Sequence, residues 1–98
     1  MNLKEALDVI SGNGSKLLIP VKMGFFIMIR PVDPGSFTTP SVPSELREGN
    51  DWLPRCDFEC RPVEVTSDGW RPLEKLQGKW VQWGVEPNDI KRDTFMVV

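Results

Sequence analysis

Gly24-Phe25-Phe26-Ile27-Met28-Ile29-Arg30 is the stretch whose reading decides the fold. Aromatic and β-branched residues dominate it, and these fit a pleated strand better than a helix. Its apolar character is nearly continuous rather than alternating, so a strand here has both faces covered. Arg30 ends the run and can hold a carboxylate or a phosphate, or simply a surface salt bridge. The longest apolar run, Met23 to Ile29, falls well short of the ~20 residues of a membrane span and lacks signal-peptide flanks. A cytoplasmic location with no membrane partner is therefore expected.

Working back from this strand, Lys22-Met23-Gly24 reads as a turn. Lys16 to Val21 is a brief β-rich run whose Pro20 confines it to an edge or a strand end. Before it, Leu3, Ala6, Leu7 and Ile10 stand at i, i+3, i+4 and i+7, one apolar stripe on a short amphipathic helix. Asn2 and Glu5 have capping-box spacing at its start, and Gly12-Asn13-Gly14 ends it.

Working forward, residues 31–54 form an irregular Pro-rich loop carrying Pro31, Pro34, Pro40, Pro43 and Pro54. Within it Pro34-Gly35-Ser36-Phe37 is a tight turn presenting an aromatic ring and a hydroxyl. Ser44 to Arg47 suits a single helical turn, with Trp52 and Leu53 returning to the core. So long a loop in a compact domain is usually one that binds something or moves. Arg55 to Val65 alternates as a strand, Phe58 and Cys60 opposing Asp57 and Glu59, and Ser67-Asp68-Gly69 is a hairpin turn. A second turn falls at Gln77-Gly78. In the last fifth, Trp80 and Gln82 alternate with Val81 and Trp83. Pro87-Asn88-Asp89 begins a helical turn capped by Asn88 or Asp89, and Thr94 to Val98 closes the sheet. This closing stretch gathers indoles, an amide and carboxylates, the makings of a small polar-lipped pocket. The fold class is α+β: a small antiparallel β-sheet with a short N-terminal helix and a short helical turn near the C-terminus. With 98 residues the chain is expected to be a single domain, 1–98.

Composition narrows the chemistry. A net charge of −2 gives no broad phosphate-neutralising surface, so nucleic acid is not expected as a partner. The chain has no His, which excludes His-based triads, and two Cys alone cannot build a structural zinc site. Four residues apart on a strand, Cys56 and Cys60 stand roughly 13 Å apart, too far for a disulfide. Free, half-buried thiols are the expectation, with a metal shared across an oligomer as the remote alternative. No cofactor, metal or catalytic residue is assigned, and the chain is expected not to be an enzyme. Any acid–base pair would come from Asp57, Glu59, Glu64, Asp89 or Asp93, whose separations the sequence leaves open. The four Trp (52, 70, 80 and 83) are either core filler or platforms for a nucleobase. Asn88-Asp89 at a helix start serves either as a cap or as a donor–acceptor pair for phosphate and ribose.

Several of these pieces together resemble the second type of Thoeris anti-defence protein, a family of small phage-encoded sponges for nucleotide signals. Glu5-Ala6-Leu7 stands where the family's first helix has its core. Gly24 to Ile29 followed by Pro34-Gly35-Ser36-Phe37 resembles its apolar strand and turn. Pro54-Arg55-Cys56-Asp57 is similar to its Pro-x-x-Asp element, and Trp83, Asp89, Asp93 and Val97-Val98 to its ending. The chain departs from that pattern at Pro20-Val21-Lys22, where a Gly-Trp-like pair is usual, and at Phe95, where Trp is usual. The resemblance implies a homo-oligomer, a tetramer being favoured, that acts in the host cell cytoplasm. It would bind cyclic ADP-ribose-type or cyclic dinucleotide immune signals between subunits without degrading them. In that reading Phe37 or Trp83 stacks on a base, Asn88 and Asp89 bind ribose or phosphate, and Arg55 or Arg92 offsets phosphate charge. The competing reading is a phage-encoded interaction module that docks on a host protein through the Pro-rich loop and exposed Trp side chains.

Overall fold

A computed structural model of the chain describes residues 1–11, 14–73 and 79–98. The Gly12-Asn13 part of the first loop and the turn expected at Gln77-Gly78 lie outside the described residues. The elements in order are α1 (Leu3–Ile10), β1 (Leu17–Lys22), β2 (Phe25–Val32), α2 (Ser44–Arg47), β3 (Asp57–Thr66), β4 (Gly69–Pro72), β5 (Val81–Gln82), α3 (Pro87–Lys91) and β6 (Met96–Val97). The strands form a single antiparallel sheet in the order β4-β3-β2-β1-β6, with β5 also on β3. The architecture is α+β, with the N-terminal helix in the expected place.

Strand β2 lies in the middle of the sheet; of the apolar run expected to be covered on both faces, Met28 and Ile29 are buried and Phe25, Phe26 and Ile27 partly so. The strand continues past Arg30 to Val32. Proline placement explains why the sheet accepts this. The paired bonds between Lys16 and Val98 (2.9 and 3.0 Å) aim even-numbered residues of β1 outward, toward β6. Odd-numbered residues of β1 therefore face β2, and Leu17 sits opposite Ile29. Pro31, two residues on, turns its missing N–H to the side where β1 has already ended. Pro20 likewise faces outward beyond the two residues that β6 covers. On β3, Phe58 O accepts from Trp83 (2.9 Å) and Pro62 O from Leu73 (3.2 Å), so both residues face the outer edge. There β5 pairs with 59–60 and β4 with 63–66, leaving Pro62 at the junction between them. Pro20, Pro31 and Pro62 thus each stand where no ladder donor is needed.

The pleat sorts side chains into two apolar clusters. On one face Leu17, Ile19, Ile29 and Phe58 pack with Leu3, Ala6 and Ile10 of α1, and with Val42, Leu53, Val85 and Phe95. Each fully buried side chain of this size contributes about 1.5–3 kcal/mol from leaving water. Trp52 and Trp83 pack against this cluster, the latter edge-to-face with Phe58 and Phe95 at 5.6 and 6.4 Å. On the other face Leu18, Met28 and Val63 are buried beneath Phe26 and Trp80. The capping box of α1 forms as its spacing implies: Asn2 Oδ1 accepts the Glu5 N–H (2.9 Å) and Glu5 Oε1 accepts the Asn2 N–H (3.1 Å).

One cap is corrected. Glu86, not Asn88 or Asp89, is the N-cap of α3, with Pro87 opening the helix. Proline's fixed φ suits that first helical position, which places the cap at Glu86, two residues before Asn88. Asp89 then falls in the first turn, and its carboxylate accepts the Glu86 N–H at 2.9 Å.

Candidate functional site

The loop after β2 is organised by one buried carboxylate. Asp33 O accepts the Ser36 N–H (3.2 Å) across Pro34-Gly35, and Gly35 adopts φ +84°, the left-handed value a type II turn requires at that position. This turn aims the Gly35 N–H at Asp57 Oδ2 (3.0 Å), while Ser41 donates its N–H to Oδ1 (3.0 Å). Asp57 is only 4 % exposed. Its carboxyl is held below the usual carboxylate range, first by the Ser41 hydrogen bond and further by the amides of Phe37, Gly35 and Ser36; burial opposes the shift. Ser41 fastens the loop a second time. Its Oγ accepts the Phe58 N–H (2.9 Å) and donates to Phe58 O (3.2 Å), and its own carbonyl accepts from Val85 (2.7 Å). Gln82 adds a side-chain bond to Thr39 O (2.5 Å).

The loop held this way walls a groove of about 770 Å³, lined among others by Gly35, Phe37, Thr39, Glu45, Arg47, Arg55 and Asp57. Arg47 is committed to structure, donating to Leu53 O (3.2 Å) and Pro54 O (2.9 Å). Arg55 is exposed and has neither hydrogen bond nor ion pair among the described residues. The groove therefore offers one half-buried aromatic ring and one guanidinium free among the described residues, with Glu45 and the buried Asp57 carboxylate as opposing charges.

Two of the six sequence-assigned binding residues, Phe37 and Arg55, meet on this groove. The other four lie elsewhere and do not line it. Trp83, half-buried, is packed against Phe58 and Phe95, and the buried Asp89 closes the first turn of α3. Arg92 Nε stands 3.6 Å from Asp89 Oδ1 without forming a hydrogen bond, and Asn88 is exposed. The pocket expected in the last fifth of the chain is thus not where this groove lies, because the indole and carboxylate meant for it are used in packing and capping. Asp57 was visible as a strand carboxylate. Its role as the loop's anchor depends on residues 16 and 22 positions upstream, which spacing alone does not reveal.

Two further strand carboxylates are held by local pairing. Glu59 pairs with Arg30 and Glu64 with Arg71. Cys56 and Cys60 are free and half-buried. Burial pushes both thiols up; the Asp57 charge adds to this at Cys56 after a partial backbone offset, and the Glu59 charge adds to it at Cys60. Both stay protonated near neutrality and are poor nucleophiles. Among the described residues no group of three or more His, Cys, Asp or Glu is placed to hold a metal, and no helix is long and apolar enough to cross a membrane. No protein-family model matches the chain, and comparison with curated proteins and with solved structures returns no match either.

Proposed function

We propose that this chain binds a small signalling nucleotide, of the cyclic ADP-ribose or cyclic dinucleotide class, and holds it without cleaving it, as a phage anti-defence sponge does. The observation that carries the reading is the meeting of Phe37 and Arg55 on one groove. An aromatic face for a base and an unpaired guanidinium for a phosphate are the two contacts such a ligand needs most. The resemblance supplies the ligand class, and the groove supplies a place of sufficient size for it.

The same reading makes the protein a homo-oligomer, a tetramer by resemblance, in which Asn88 and Arg92 serve a site completed by a neighbouring subunit. Exposed apolar side chains at Val21, Met23 and Val65 favour such assembly. A light-scattering mass equal to one chain at working concentration would exclude it.

Calorimetry with a panel of cyclic nucleotides tests the groove. Phe37→Ala should weaken binding of the captured nucleotide by about 1–3 kcal/mol, the worth of one base–aromatic stack. Arg55→Ala should weaken it by about 1.5–3 kcal/mol, the worth of a charged hydrogen bond. Wild-type affinity in both variants would remove the groove from the account.

A further inference from the structure

The second face of the sheet carries a cluster that the groove does not use. Along β3 the residues Glu59, Arg61 and Val63 alternate onto this face, and the register sets Arg30 opposite Glu59 and Met28 opposite Arg61. Because Val81 pairs with Cys60, the preceding residue, Trp80, arrives beside Arg61. Its indole packs on the Leu18–Met28–Val63 cluster and is flanked by two guanidinium groups. Cζ of Arg30 lies 3.9 Å from the ring centroid, and Cζ of Arg61 lies 4.6 Å from it.

The two arginines differ in how they are satisfied. Arg30 Nε donates to Glu59 Oε1, which accounts for one of its nitrogens and neutralises its charge. Arg61 has no hydrogen bond or ion pair among the described residues, and its Nε is buried without an acceptor. Stacking on an indole occupies the face of a guanidinium and leaves its N–H edge free in the plane. A buried donor on a charged group, left without an acceptor, is the kind of defect that folded proteins rarely keep. Among the described residues the cluster holds two cations and one carboxylate, so one positive charge there is unmatched where one donor edge is unmatched.

We infer that Arg61, with the free terminal nitrogens of Arg30, forms an oxyanion site against Trp80, and that its ligand is a phosphoryl group. A carboxylate has two oxygens in one plane and suits a single guanidinium fork. A phosphoryl group has three acceptor oxygens pointing in different directions, and so serves two forks that border the same ring. The site is separate from the groove. Asp57 and Arg61 are four residues apart on β3, about 13 Å along the strand, so the inference does not rest on the nucleotide reading.

The test follows the Arg61 Nε–Hε resonance of the intact chain by NMR during titration with inorganic phosphate, against sodium chloride at matched ionic strength. The expected result is a saturable phosphate-specific shift with a dissociation constant on the order of millimolar. Arg61→Gln, followed through the Trp80 indole resonance, should weaken binding about tenfold or more, in line with loss of a charge-assisted pair. Arg30→Gln should weaken it less, since Glu59 already takes one of its donors. Phe37→Ala should leave it unchanged, which separates this site from the groove whatever becomes of the latter. Glycerol 1-phosphate is titrated alongside: saturable binding of either compound, lost in Arg61→Gln, supports the site, and the tighter one distinguishes a phosphorylated metabolite from the free ion. An equal shift with chloride, no saturable shift with either phosphate, or wild-type affinity in an Arg61→Gln variant with an unchanged near-ultraviolet spectrum overturns the proposal.

Discussion

Asp57 is the residue on which the groove depends, and its ionisation sets a pH signature. Its carboxyl is depressed in the folded state by the amides that it holds. Its contribution to stability is therefore complete above the ordinary carboxylate range of about 4 and is lost as pH falls through the lower, folded value. Asp57→Asn should lower the urea midpoint at pH 7, and the gap to wild type should close as pH drops below about 4. A gap that stayed constant with pH would assign the effect to lost shape, not lost charge. Trp83 makes a contrasting case. Its indole meets Phe58 and Phe95 edge-to-face, and Trp83→Ala should cost about 3 kcal/mol of stability by urea denaturation, within the range for aromatic truncation in a core. A loss under about 0.5 kcal/mol, typical of a surface position, would free Trp83 for a ligand. Sequence alone offered both roles for this residue. Deciding between them takes the positions of Phe58 and Phe95, which lie 25 and 12 residues away.

At the scale of elements, what was legible was what depends on near neighbours. The stripe on α1, the single turn of α2 and the hairpin turn at Ser67-Asp68 all stand where local pattern placed them. The Asn2–Glu5 capping box is such a local device. Asn2→Ala should therefore cost about 1 kcal/mol, read as a lower urea midpoint with an unchanged slope; no change would mean that packing alone holds α1. The end of β2 and the cap of α3 were misjudged because each turns on a proline whose meaning depends on context. Pro31 continues a strand because β1 has ended beside it, and Pro87 begins a helix one residue before the polar pair that looked like its cap. The end-to-end placing of β4 and β5 was beyond the sequence for the same reason. Pro62 marks the junction only once the pairing on both sides of β3 is known.

For the whole molecule, the sheet divides the chemistry by position. One face is closed by α1 and the loop returning through Val42 and Leu53, and the groove forms where β2 ends and β3 begins, where that loop is held by Asp57. The other face carries the Arg30–Trp80–Arg61 cluster, together with Phe26 and a Trp70 side chain that is 37 % exposed. The central claim is capture of a nucleotide without chemistry, and one measurement bears on it most directly. The purified protein is mixed with cyclic ADP-ribose isomers and cyclic dinucleotides and filtered, then heat-denatured, and the released nucleotide is assayed. The account predicts that one class is depleted from the filtrate and comes back intact. Recovery of an altered product would make the protein an enzyme. Depletion of none would contradict nucleotide capture and leave docking on a host protein as the function to pursue.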